Sequence, residues 1–227
     1  MSGIVETDSG YAGRTLSEIA STLPGATRVF RRNKLDFCCG GKMVLAEAAA
    51  AKHLSLPALE AELSSVAAMA LPAELPKDTS ALIALIETRY HAVHRHELPE
   101  LVRLARRVEA VHKGHPASPA GLADLLDSLT EELEEHMLKE EQVLFPLMRR
   151  GGHPMIAQPI RMMLSEHDDH GEKIRRMEAL TGDFIVPAEA CSTWRALYGG
   201  GRKLVDDLME HIHIENNVLF PRFLGAA

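Results

Sequence analysis

EHMLKEEQVLFP at residues 135–146 and EHIHIENNVLFP at 210–221 share the skeleton Glu-His-x3-Glu-x2-Val-Leu-Phe-Pro, 75 residues apart. In each copy a histidine and a glutamate stand four positions apart, His136 with Glu140 and His211 with Glu215. Four residues is just over one helical turn, so both side chains share a face. Working outward, His91 lies 45 residues before His136 and His167 lies 44 before His211. A lone pair of this kind is an ordinary surface contact worth about a few tenths of a kcal/mol. Surface pairs have no reason to recur with an identical tail and a matched upstream histidine. The frame predicts one site assembled from two helix pairs.

The segments around this frame read as helices. The first is expected from about Thr79 to Val111, kinked or broken in two at Pro99. The second opens at Ser118-Pro119, an N-cap and N1 pair, and ends before Gly151-Gly152. The third covers about Met155 to Leu180, and the fourth about Ala188 to Phe223, with Gly199-Gly200-Gly201 as an expected irregularity. Nothing here alternates with period two, and short connections favour an antiparallel four-helix bundle. Ahead of it, Thr15-Leu-Ser-Glu18 has capping-box spacing and Pro24-Gly25 ends a first short helix. Further helices follow at Ala26–Leu35, Met43–Leu54 and from Pro57 to about Ala70. LPAELPKD at 71–78 is the natural boundary, giving a small helical domain over 1–74 and the bundle over 75–227. The fold class is all-α.

Each bundle helix thus brings one inward histidine: His91, His136, His167 and His211. If Glu140 and Glu215 both bridge, each of two metals receives two nitrogens and two oxygens. An oxide or hydroxide bridge makes five ligands and leaves one place of an octahedral ion open. Imidazole and carboxylate with open positions suit iron better than structural zinc, which prefers a closed tetrahedron; manganese remains an alternative. Glu132 and Asp207 each precede a site histidine by four residues. They are open between accepting a ligand's free ring N–H and lying on a solvated face, as are Glu166 and Asp168, which flank His167. His94 and His96 are alternatives to His91 on the same helix. None of His94, His96, His112, His115, His153 or His213 finds a mate in the duplicated frame, and His170 stands three residues from His167. Most of these are expected to be solvated.

Composition narrows the function classes. A net charge of −7 argues against general nucleic-acid binding. No run approaches the ~20 apolar residues of a membrane span, and MSGIVETDSG has no signal-peptide pattern, so the expected location is cytoplasmic. Three cysteines are too few for a disulfide framework.

Arg-Tyr-His at 89–91, Glu-His-Met-x-Lys-Glu-Glu at 135–141, Ser-Glu-His-Asp at 165–168 and His-x3-Glu-Asn-Asn at 211–217 together resemble a hemerythrin-like di-iron domain. The front module with Asp-Phe-Cys-Cys-Gly-Gly at 36–41 resembles the domain ahead of it in the repair-of-iron-centres family. That resemblance implies two irons with an oxo or hydroxo bridge on His91, His136, His167, His211, Glu140 and Glu215. It implies bacterial recovery of iron–sulfur clusters damaged by nitrosative and oxidative stress, with apo or damaged cluster proteins as partners and nitric oxide or O2 as small ligands. Cys38 and Cys39, expected at a helix start with lowered pKa values, are candidates for thiol chemistry or for handing over iron or nitric oxide; Cys191 is expected to be structural. Three functions compete: supplying iron to damaged clusters, reducing nitric oxide to nitrous oxide, and sensing or carrying O2 or nitric oxide without turnover.

Overall fold

The computed structural model describes residues 10–69 and 75–224 and divides the chain into two compact units, Met1–Leu75 and Pro76–Ala227. The expected helix end at Ala70, the first half of the LPAELPKD boundary and the start of the N-terminal stretch lie outside the described residues. Among the described residues there is no strand, only an isolated bridge between Thr15 and Val44.

The first unit is small and helical. The Thr15 side chain accepts from the Glu18 N–H while Glu18 accepts from the Thr15 N–H, so the capping box forms and starts α1 (Leu16–Thr22). Gly25, in the left-handed region at φ 88°, turns the chain into α2 (Ala26–Arg32). A Cβ there would stand 2.6 Å from Val66 Cγ1, so only glycine fits. α3 (Leu45–Ala51) and α4 (Leu56–Met69) complete the unit. Leu16, Ile19, Val29, Phe30, Phe37, Leu45, Leu59 and Leu63 form its core.

The second unit is the four-helix bundle. Its first helix is α5 (Thr79–Ile86), a π turn over Glu87–His91 and α6 (Ala92–Val111). The second is α7 (Leu122–Lys139), a π turn over Glu140–Leu144 and α8 (Phe145–Arg149). α9 (Ala157–Thr181) is continuous, and α10 (Ser192–Ile214) runs into a π turn over Glu215–Leu219. Cross-helix pairs set an antiparallel register: Arg95 to Glu134 and Arg106 to Asp127 between α6 and α7, Lys173 to Glu132 between α9 and α7, and Lys203 to Glu97 between α10 and α6. The α7 residues Leu122, Leu126, Leu129 and Leu133 form a stripe at helical spacing and are all buried.

Two expected irregularities fall elsewhere. Pro99 lies inside α6 without breaking it. Its flank, with Leu98, Leu101 and Val102, is buried, and that packing offsets the ~3 kcal/mol a helical proline costs. α10 passes unbroken through Gly199–Gly201, whose glycines serve close approach instead. A Cβ at 200 would meet Leu101 Cδ2 at 2.7 Å, and one at 201 would meet Phe184 Cε1 at 2.5 Å. The real irregularities are the three π turns, and two of them stand just ahead of a repeated proline. Pro146 and Pro221 have no N–H to donate and crowd the carbonyl four residues back. A turn opened to i→i+5 bonding accommodates them, with the Phe145 and Phe220 N–H groups donating to the Glu140 and Glu215 carbonyls.

Candidate metal centre

The antiparallel register places the inward histidines of all four helices at one level of the bundle. His91, His136, His167 and His211 are at most 1% exposed, and Glu140 and Glu215 are fully buried. Two groups of potential ligand atoms result. One is His91, His211, Glu140 and Glu215, the other His136, His167, Glu140 and Glu215, each with its atoms within 4.8 Å of one another. Both carboxylates belong to both groups, as bridging groups must. The structure therefore brings together all six residues named from the sequence. Each group takes one histidine from each repeat.

Ring tautomers follow from the outer contacts. His91 Nδ1 lies 2.8 Å from Glu141 Oε1, His136 Nδ1 2.7 Å from Glu166 Oε2, and His167 Nδ1 2.6 Å from Asn216 Oδ1. Carboxylate and amide oxygens only accept, so each Nδ1 carries the proton and each Nε2 turns a bare lone pair inward. Arg95 holds Glu141 and Lys139 holds Glu166, which keeps those acceptors ionised. The His136 and Lys139 hydrogen bonds outweigh partial burial and hold Glu166 down at about 2.

The interior of the cage has the polarity of a cation site. His91 Nε2 stands 3.1 Å from His211 Nε2, and His136 Nε2 stands 3.1 Å from His167 Nε2. Two nitrogens each about 2.1 Å from one ion at a right angle stand about 3 Å apart, so the spacing fits ligands of a shared metal. All four carboxylate oxygens of Glu140 and Glu215 are buried without a hydrogen-bond partner, although His nitrogens approach to 3.1–3.5 Å. Unpaired buried oxygens are costly, and cations would satisfy them together with the imidazole lone pairs. Burial lowers His91 and His136 to about 4, so both are neutral and ready to ligate. Burial and the facing Glu215 raise Glu140.

The sequence left the outer contacts open, and the structure gives each a partner or exposes it. Glu132 binds Lys173 and Ser128, and buried Asp207 binds Arg89 and Lys203, so neither serves its helix-mate histidine. His136 takes Glu166 from the neighbouring helix instead, while Asp168 is exposed. The repeat explains an asymmetry. Glu141 and Asn216 are equivalent positions 75 residues apart, whereas Glu166 is matched by Tyr90, whose ring stacks on His211 at 5.5 Å. A phenol ring in place of a carboxylate leaves the buried His211 Nδ1 without an acceptor.

His94 and His170 are mates after all, 76 residues apart like His91 and His167. Both are buried neighbours of the cage, 5.5 Å ring to ring from His211 and 5.1 Å from His136. His213 is buried as well, so the expectation of solvation holds only for exposed His96 and His153, with His112 and His115 half-buried. The repeated phenylalanines close the floor of the cage. Phe145 stacks on His91 at 5.8 Å and Phe220 on His167 at 5.9 Å.

The cysteines also differ from expectation. Cys38 and Cys39 lie in a loop six residues ahead of α3, not at a helix start. The Cys39 hydrogen bond and burial raise the Cys38 thiol instead of lowering it. Cys191 opens the last helix of the bundle. It is the exposed N-cap of α10, 3.3 Å from His112 Nε2, and that hydrogen bond lowers its thiol to about 7.

Sequence comparison matches residues 83–223 to the hemerythrin HHE cation binding domain and residues 12–67 to a domain of unknown function. Similar proteins include the iron-sulfur cluster repair protein YtfE of Citrobacter koseri, 46% identical over 219 residues that make up 95% of this chain and 99% of that protein. YtfE of Escherichia coli O157:H7 is likewise 46% identical, with the same coverage. A probable iron-sulfur cluster repair protein of Haemophilus influenzae is 43% identical, covering 95% of this chain and 98% of that protein.

Proposed function

The chain belongs to the hemerythrin HHE cation-binding proteins and, among them, to the iron–sulfur cluster repair proteins; from that membership we propose that its buried cage holds two irons under an oxo or hydroxo bridge and supplies iron to clusters damaged by nitrosative or oxidative stress. The observation that carries this reading is the set of unpartnered Glu140 and Glu215 oxygens facing imidazole lone pairs across 3.1–3.5 Å. His91, His136, His167 and His211 would each give one nitrogen, and Glu140 and Glu215 would bridge. When bound, the metal pair supplies exchangeable coordination places open to small ligands such as nitric oxide or O2.

The chain's own residues do the rest. Glu141, Glu166 and Asn216 hold three imidazoles in the ligating tautomer. Phe145 and Phe220 cover one side of the site and keep bulk water from it. Six protein ligands for two metals is a sparse set, and sparse nitrogen–oxygen coordination yields iron to a thiolate-rich acceptor more readily than a closed thiolate site would. The cluster proteins served are soluble apo or damaged forms in the cytoplasm. Among the described residues no helix is long and apolar enough to cross a membrane.

The decisive experiment loads anaerobically purified protein with iron and offers it an apo-ferredoxin. Cluster formation in the acceptor, matched by iron lost from the donor, is expected. Well under two irons per chain, or full iron content in His136→Ala, would overturn the assignment of the site. Multiple turnovers of nitric oxide to nitrous oxide, with no iron transferred, would instead make the centre a reductase.

A further inference from the structure

The loop Asp36–Gly41 is pinned on all sides. Phe37 is fully buried against Phe30, with ring centroids 6.0 Å apart, so it anchors the loop from below. The Cys39 N–H donates to Asp36 Oδ1 at 3.0 Å and the Met43 N–H to the Gly40 carbonyl at 3.1 Å. The Ser17 N–H at the start of α1 donates to the Gly41 carbonyl at 2.9 Å. A Cβ at Gly40 would stand 2.9 Å from the Asp36 carbonyl oxygen and 3.4 Å from Asp36 Cβ and Cγ, so the chain closes on Asp36 only as glycine. This packing holds three potential ligand atoms within 4.8 Å of one another: one Asp36 oxygen, Cys38 Sγ and Cys39 Sγ.

We propose that Asp36, Cys38 and Cys39 form a second metal site, which takes one thiophilic divalent cation of the iron(II) or zinc(II) class. The two sulfurs lie 3.8 Å apart and Cys38 Sγ lies 3.3 Å from Asp36 Oδ1. Two thiolates about 2.3 Å from a tetrahedral ion stand about 3.8 Å apart, and a thiolate with a carboxylate oxygen about 3.5 Å. Those two spacings need almost no movement to close on an ion, and the third pair lies within 4.8 Å. Soft sulfur donors select iron and zinc over magnesium or calcium. Three donors leave the fourth place free, which is the arrangement of an exchanging site, not a structural one. Cys38 is buried while Cys39 and Asp36 are partly exposed, so an incoming ion has a route and a fixed inner ligand.

Uptake involves no redox change. Two S–H bonds break, two S–metal bonds and one O–metal bond form, and two protons leave to solvent. Because both sulfurs bind as thiolates, uptake releases their protons and strengthens as pH rises. The function of such a site, holding one iron in transit, rests on the repair reading above.

The test uses the full chain, iron-loaded, reduced and anaerobic, titrated with cobalt(II). Thiolate-to-cobalt charge-transfer absorption and metal content after desalting are the readouts. One cobalt per chain beyond the iron is expected, with the iron content unchanged. Cys38→Ser and Cys39→Ser should each abolish the absorption. Asp36→Asn, which preserves the loop's shape, should weaken binding by at least the about 10- to 100-fold that a lost outer contact costs. Absence of the band in the unaltered protein, or its survival in both cysteine variants, overturns the site. Protein that restores clusters yet binds no cobalt defeats this inference alone. Protein that binds cobalt yet restores no cluster retains the site and defeats the repair reading.

Discussion

Cys191 and Cys38 show how far two thiols of one chain can diverge. Cys191 is exposed, begins α10, and has His112 Nε2 at 3.3 Å, which brings its thiol to about 7. Cys38 is buried and raised. Iodoacetamide at neutral pH is therefore expected to label Cys191 first, and His112→Ala should slow that labelling several-fold; mass spectrometry of the adducts decides. Asp207 gives a second residue-scale expectation. Burial alone would raise its carboxyl, but Arg89 and Lys203 hold it below the ordinary value of 3.8. A depressed carboxyl stabilises the fold above its unfolded pKa and stops doing so as pH falls through the folded one. Asp207→Asn should lower stability by about 2 kcal/mol at pH 7, and the gap to the unaltered protein should narrow as pH falls below the ordinary value of 3.8. The six cage residues were legible in sequence because a repeat can be read without knowing any contact. Of their outer acceptors only Glu166 was a candidate, without its partner, and Glu141 and Asn216 were missed. Glu166 reaches His136 across two helices, and nothing in the numbering ties residue 166 to residue 136.

At the scale of elements, the irregularities mattered more than the regular helices. Proline and triple glycine are the strongest local punctuation a helix can carry, yet Pro99 and Gly199–Gly201 sit in unbroken helix, with Leu101 and Phe184 packed close against Gly200 and Gly201. Two of the three π turns fall where the repeated prolines crowd the preceding carbonyls, a signal present in Val-Leu-Phe-Pro but readable only once the helix was known to continue through it. The glycine run makes a graded prediction. Gly200→Ala and Gly201→Ala place a methyl against Leu101 and Phe184, at 2.7 and 2.5 Å, whereas a Cβ at Gly199 meets nothing within 4 Å. Thermal unfolding should show the first two destabilised by about 1–3 kcal/mol. Gly199→Ala should be neutral or stabilising by up to about 1 kcal/mol. Equal behaviour of all three would mean that packing does not set these positions.

At the scale of the whole molecule, metal and fold are coupled. Emptying the cage leaves four carboxylate oxygens buried without hydrogen bonds between helices that otherwise pack through apolar stripes. Iron held at about a thousand times its dissociation constant contributes about 4 kcal/mol. Chelation should then lower the bundle's melting temperature by about 10 °C, and calorimetry of loaded and stripped protein measures it. An unchanged transition would place the metal outside the helix interface. The division of ligands gives this coupling a further meaning. Residues 79–149 supply His91, His136 and Glu140, and residues 157–219 supply His167, His211 and Glu215, but each group of ligands draws one histidine from either half. Each group of ligands needs both halves, so metals bound there would act as rivets along the seam between two hairpins. A molecule that gave up such metals would also loosen its seam, and a loosened seam would be open to proteolysis. Loaded and spent copies would then have different lifetimes, and delivery would itself mark the exhausted donor for disposal.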